Sequence, residues 1–210
     1  MLSIVPIVEG PGDVQALPVL LRKILYERLS RYDIQVTKPK NSNGRGKLLK
    51  RFESYLEYAA IEPRCGAILV LIDADDDCPV ELARGLVGRC TAVAIGKPAV
   101  VVCATREYEA WILASLDTVK GQSKISESAS FTGDVENLRE LKKWLTDQMP
   151  PGLAYKETLD QPALTHWIDL DLAHEKSRSF RRLCHAVEEL LTAMDSGNVV
   201  VTPPPMTSNS

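Results

Sequence analysis

Six largely aliphatic residues, Ala67 to Ile72, run without a break into Asp73, Asp75, Asp76 and Asp77, and this junction constrains the fold more than any other part of the chain. A short apolar run bounded by turn formers reads as a strand buried on both faces, as in a parallel sheet covered by helices. The acids then fall at the carboxyl end of the strand, the edge where open α/β sheets bind ligands. Four carboxylates so close together repel one another and require cations, basic side chains or water. A divalent metal is the simplest partner.

The segments on either side repeat the pattern. Leu2 to Val8 is an apolar run followed by the turn EGPGD, with Glu9 and Asp13, and by leucines at helical spacing from Val14 to about Tyr32. It predicts a strand, a tight turn eased by Gly10 and Gly12, and a helix with Asp13 as its N-cap. Ile34 to Thr37 predicts a brief strand, PKNSNGRGK an exposed loop carrying Lys38, Lys40, Arg45 and Lys47, and Lys47 to Ala60 a second helix. Pro79 opens a helix that reaches Val93, and Ala99 to Ala104 is the next buried strand, ending at Thr105, Arg106, Glu107 and Glu109. Three predicted strands thus deliver acids at their carboxyl ends.

Beyond these strands the pattern changes. Glu109 to Leu116 predicts a helix and Lys120 to Gly133, rich in Ser, Lys and Gly, a mobile loop. Further helices are expected over Asp134 to Gln148, Gln161 to Asp169 and Ser177 to Met194. The expected organisation is an α/β core over residues 1–116, a mostly helical part packed on it over 117–196, and a flexible tail over 197–210, in which Val199 to Val201 can add an edge strand.

Composition excludes several classes. With 45% hydrophobic and 25% charged residues and a formal charge of −3, the chain is neither disordered throughout nor a strongly basic nucleic-acid binder. The first apolar stretch meets Glu9 and Asp13 too soon for a signal peptide or a membrane span, so the expected location is the cytoplasm. Five cysteines with no CxxC pair argue against a disulfide framework or a zinc knuckle and predict mostly buried thiols. His166, His174 and His185 form no metal-ligand pair, and Trp111, Trp144 and Trp167 read as packing residues. Ser177 and Ser179 read as helix-cap and surface residues.

If the first two long strands are neighbours, Glu9 and Asp13 converge with Asp73 and Asp75, a hard-oxygen set of the kind Mg²⁺ or Mn²⁺ prefers. Asp76 and Asp77 are then left to capping and solvation. An EF-hand beginning at Asp73 would need glycine at its sixth position and glutamate at its twelfth, where this chain has Cys78 and Arg84. A haloacid-dehalogenase reading would put DxDx(T/V) on the first strand, where VEGPG stands instead.

The order of these motifs, VEGPGD at Val8 to Asp13 and then LIDADDD at Leu71 to Asp77, resembles the Toprim domain of topoisomerases, primases, recombination proteins and overcoming-lysogenisation-defect nucleases. REYEAWILAS at Arg106 to Ser115 and YKETLDQPALTHWIDLDLAHEKSRSFRRL more narrowly resemble the uncharacterised bacterial Toprim-like family DUF4276, suspected of roles in defence against foreign DNA. The resemblance implies a Toprim-like, mainly parallel sheet flanked by helices with a helical C-terminal extension. It also implies Mg²⁺- or Mn²⁺-dependent phosphodiester hydrolysis on nucleic acid, DNA more than RNA, with Glu9 as the Toprim glutamate and Asp73 and Asp75 as the DxD pair. Asp13 and Glu109 would complete the metal shell.

Positive charge for the transition state is assigned to Lys156 or Arg178, with Lys176, Arg181 and Arg182 in the same cluster. Lys40, Arg45, Lys47, Arg178 and Arg181 are the expected nucleic-acid contacts. The alternative is a non-catalytic, metal-dependent module that binds nucleic acid or nucleotide and regulates a partner ATPase, since this chain lacks a GxxxxGK(S/T) loop of its own. A homodimer is compatible with either reading, and no membrane partner is expected.

Overall fold

The computed structural model describes residues 1–93 and 95–202. Leu2–Val8 forms β1, Ile34–Val36 β2, Lys40–Asn41 β3, Cys65–Asp73 β4, Ala99–Ala104 β5 and Val201–Thr202 β6. All pairings are parallel, in the order β2-β1-β4-β5-β6, with β3 also pairing with β1. The chain leaves β1 towards one edge and returns to its other side with β4. The sheet therefore has its topological switch point between β1 and β4, whose registers join Ile7 to Val70.

Side-chain alternation separates the apolar interior into two layers. Ile4, Val8, Leu69, Leu71, Val100 and Val102 point to one face, and Val5, Ile7, Ile68, Val70, Ile72 and Val101 to the other. On the second face pack α2 (Arg45–Lys50), α3 (Phe52–Ala60) and α4 (Pro79–Val93). On the first lie α1 (Asp13–Lys23), which continues as a π-helical turn over Ile24–Arg28, and the helices of the C-terminal part. These are α5 (Glu109–Ala114), α6 (Leu116–Val119), α7 (Leu141–Asp147), α8 (Glu157–Thr165), α9 (Leu170–Lys176) and α10 (Arg178–Ser196). The fold is an α/β mainly parallel sheet flanked by helices, with a helical C-terminal extension. No helix among the described residues is long and apolar enough to cross a membrane.

Several local expectations change. The second helix breaks at Arg51 into α2 and α3. The helix expected over Asp134 to Gln148 is confined to α7, because Asp134 folds the preceding residues into a turn through Glu136 N and the Asn137 amide. The loop Lys120 to Gly133, expected to be mobile, is anchored by Ile125 and Ala129, both buried in the first layer. The helix expected over Gln161 to Asp169 lies earlier, as α8, and Leu170–Lys176 adds α9, whereas α10 follows the helix expected over Ser177 to Met194, with Ser177 accepting from Phe180 N as its cap. Ser179, expected at the surface, is buried and accepts the Trp111 indole N–H at 2.8 Å. Trp167, expected to pack inside, is 44% exposed. Val201 joins the sheet edge beside Ala99, while 203–210 of the expected flexible tail lie outside the described residues.

Candidate metal and phosphate cleft

At the switch point, the carboxyl ends of β1 and β4 open into a cleft of about 410 Å³. Glu9 follows β1 directly, and its Oε1 accepts from Asp73 N at 2.9 Å, tying the two strand ends together. Asp73 closes β4, and its Oδ1 accepts from Tyr108 N at 3.0 Å, which fixes the start of α5. Asp13 Oδ1 accepts from the Gln161 amide at 2.8 Å. Asp13 is not the N-cap of α1. That place falls to Gly12, and the Asp13 side chain is turned into the cleft wall. Glu109, 1% exposed, accepts from the Tyr155 hydroxyl at 2.9 Å.

Gly12 has ordinary helical angles, φ −63° and ψ −46°, and needs no left-handed freedom. It is small because α8 lies against it. A Cβ there would sit 1.9 Å from Gln161 Oε1 and 2.9 Å from Glu157 Cβ. The C-terminal part therefore forms one wall of the cleft, with Lys142 of α7 and Glu157 and Gln161 of α8 among the lining residues.

Burial and mutual repulsion act on the acids in the same direction. Loss of water raises Glu9 from 4.5 to about 7, opposed by the Asp73 N–H and reinforced by Asp13 and Asp75. Burial likewise lifts Glu109 to about 7, opposed by Lys142 and reinforced by Glu107. Asp73 is pushed well above the usual carboxylate range by burial and then by Asp13, Glu109 and Glu9. Burial raises Asp13 as well, against the bonds from Gln161 and Gly10. At Lys142 burial works against the charge, but Glu109, Glu157 and Glu107 prevail and hold its pKa above the ordinary lysine value. Its ammonium lies 2.6 Å from Glu157 and 3.7 Å from Glu107.

The outer acids differ. Asp75 pairs with Arg45 at 3.1 Å, Asp77 also pairs with Arg45, and Asp76 pairs with Arg106 and, at 3.1 Å, with Arg139. Asp76 and Asp77 stay solvated, as expected, and also hold arginines.

Of the residues expected in the site, Glu9, Asp13, Asp73, Asp75, Glu109 and Arg45 line the cleft. Lys156 does not. It is exposed at the start of α8, where its backbone N–H bonds Asp160, and Lys142 occupies the position expected of it. Lys40 lies on the β1 edge, paired with Glu62 and 4.4 Å above the Tyr58 ring. Lys47 is exposed on α2, Arg178 is exposed at the start of α10, and Arg181 donates to the carbonyls of His174 and Glu175 at the end of α9. None of these four lines the cleft. Sequence reasoning missed Lys142, Tyr155, Glu157 and Gln161. The four-residue spacing of Glu157 and Gln161 was a usable sign that both share a helix face, whereas nothing distinguished Lys142 from Lys143.

Glu9 Oε2 is buried with no hydrogen-bond partner among the described residues. An orphaned carboxylate oxygen, surrounded by hard oxygen donors whose negative charges repel, fits a divalent cation such as Mg²⁺ or Mn²⁺. Among the described residues no group of three or more His, Cys, Asp or Glu is already set around a common metal position. Hydrogen bonds from Tyr108, Gln161 and Tyr155 hold three of the acids instead.

A family model described as "Domain of unknown function (DUF4276)" matches residues 8–188. The chain belongs to this family. The match takes in both the strand-end acids and the helices α7 and α8 that wall the cleft. No curated protein and no solved structure matches the chain.

Proposed function

We propose that the cleft is a Toprim-like, divalent-metal-dependent site for hydrolysis of phosphodiesters in nucleic acid, acting in the cytoplasm in DNA processing or defence. The observation that carries this reading is the set of four largely enclosed carboxylates, Glu9, Asp13, Asp73 and Glu109, gathered at a sheet switch point with the Glu9 Oε2 lacking a partner among the described residues. Enclosing four acids with so little compensating charge is unfavourable for folding, so their grouping is better explained by a cation than by stability.

Glu9, Asp73 and Asp75 would hold the metal, with Asp13 or Glu109 completing the shell. When bound, Mg²⁺ or Mn²⁺ polarises a phosphate oxygen and lowers the pKa of an attacking water. The chain's own groups do the rest. The Asp73 N–H aims the Glu9 carboxylate, and Tyr108 N aims that of Asp73. Tyr155 orients Glu109. Lys142, kept protonated by its three glutamates, faces the cleft as the cation that offsets phosphate charge.

The test is calorimetric titration with MnCl₂ together with cleavage of labelled DNA and RNA by the native protein and by Glu9→Ala and Asp73→Ala. The expected result is metal binding and metal-dependent cleavage, both lost in the variants. Metal-dependent nucleic-acid binding without cleavage would instead favour a regulatory module working with a partner ATPase. Absence of both metal binding and cleavage sinks the proposal.

A further inference from the structure

The ends of β4 and β5 are joined in an unusual way. Asp75 (φ +51°) and Arg106 (φ +66°) both occupy the left-handed region without being glycine. They bind each other reciprocally, Asp75 N to Arg106 O at 3.0 Å and Arg106 Nη1 to Asp75 O at 3.0 Å. Backbone held this way concentrates where a ligand is gripped. The same three consecutive aspartates fasten three guanidinium groups, Arg45 by Asp75 and Asp77 and both Arg106 and Arg139 by Asp76. Exposed pairs of this kind contribute little to stability. What they do fix is position. Arg45 lines the acid cleft, while Arg106 and Arg139 line a second cleft of about 420 Å³ that shares Asp75 with the first and also carries the carboxylates of Asp76, Glu107 and Glu140, so that any anion held there must be met by the two guanidinium groups directly.

We infer that the Asp75–Asp77 loop is an arginine holder, and that Arg45 on one side of Asp75 and Arg106 with Arg139 on the other grip the phosphates flanking the one in the acid cleft. The substrate is then an internal phosphodiester of a polynucleotide chain, and not a mononucleotide or a terminal phosphomonoester. This rests on the phosphodiester reading of the acid cleft for the central phosphate, but the grip itself requires no cleavage. A guanidinium carries five N–H donors, so one nitrogen can stay with its aspartate while another meets phosphate. Two clefts meeting at one residue suit a chain of repeating charges better than a single compact anion.

The test is fluorescence anisotropy with labelled mononucleotides and oligonucleotides of about 16 nucleotides, in DNA and RNA forms, in Ca²⁺ and in EDTA. Binding is therefore read whether or not the protein cuts. Native protein is expected to prefer the long ligand by about 10-fold or more, and each of Arg106→Ala and Arg139→Ala to shrink that preference several-fold and reduce the salt slope by about 1. Arg139 is highly exposed, so its variant remains informative if Arg106→Ala fails to fold. Equal affinity for both lengths, or variants that weaken both ligands by the same factor, would overturn the inference even if cleavage is observed. A preserved length preference that collapses in the variants supports it even where no cleavage occurs, and so separates its fate from that of the hydrolase reading.

Discussion

Two carboxylate clusters lie within a few residues of each other and have opposite physics. The inner one, Glu9, Asp13, Asp73 and Glu109, is drawn from two strand ends and the first turns of two helices, α1 and α5, and burial raises the pKa of every member. The outer one, Asp75 to Asp77, comes from a single loop, and all three side chains are more than half exposed and paired with arginine. The inner set holds charge that the protein alone compensates poorly. The outer set is compensated already, and of its three members Asp75 alone also lines the acid cleft, with one oxygen on Arg45. A dense acidic run in a sequence is therefore a poor guide to where a cation is needed, and enclosure decides.

The sharpest way to break this comparison is to neutralise one acid from each cluster. Asp73→Asn and Glu9→Gln are expected to weaken Mn²⁺ binding by at least about 100-fold, beyond the range seen on removing mere supporting groups around a metal. They are also expected to raise the melting temperature of the metal-free protein by relieving repulsion. Asp77→Asn should do neither. Titration calorimetry and thermal melts check both effects, and equal losses from the inner and outer substitutions would erase the distinction.

Proton linkage gives the next largest effect. In the unfolded chain Glu9 and Glu109 titrate near 4.5, and in the folded protein near 7, so the folded state binds more protons between those values. Their contribution is fully present below about pH 4.5 and is lost as pH rises through 7. For the enclosed Glu109 this amounts to about 3 kcal/mol, with less from Glu9, which water partly screens. Urea midpoints of metal-free protein should fall from pH 5 to 8, and saturating Mg²⁺ should flatten that fall. A midpoint that rises over the same window contradicts the assignment.

Wall packing comes third. Gly12→Ala places a methyl group into Gln161 and Glu157, and is expected to destabilise the protein by about 1–3 kcal/mol as α8 is pushed off α1. Gly44→Ala tests a different cause. It meets no atom within 4 Å but sits at φ +123°, so any loss there is backbone strain alone. Denaturant titration separates the pair, and a neutral Gly12→Ala would mean that α8 is not closely docked.

The legible parts of this molecule were those fixed by local pattern. The buried strands announced themselves as unbroken aliphatic runs, and β5 starts and ends at the predicted residues, Ala99 and Ala104. Glu9, Asp73 and Asp75 could be placed because strand ends aim the residues that follow them, and the β1–β4 pairing brings the first two into contact. The far wall was not legible. Tyr155 and Gln161 reach Glu109 and Asp13 across 46 and 148 positions of sequence, and Lys142 enters the same wall from α7, through packing that no periodicity records. Lys156 is the lysine the sequence offers for the cleft and Lys142 the one that lines it, because charge near a motif does not reveal which helix face turns inward.

The smallest expected effect belongs to Asp76→Asn. Asp76 is 72% exposed, and its partners Arg106 and Arg139 can exchange the lost carboxylate for water. The Arg106 guanidinium also keeps its bond to the Asp75 carbonyl, and Asp75 N keeps the Arg106 carbonyl, so the left-handed junction between β4 and β5 stays closed. Stability should change by less than about 1 kcal/mol, a shift in Tm below about 4 °C for a domain of this size. Calorimetry of the metal-free protein checks this. A loss as large as that from Gly12→Ala would mean that the aspartate itself supports the strained junction, and the outer cluster would then be a structural element as much as a holder of arginines.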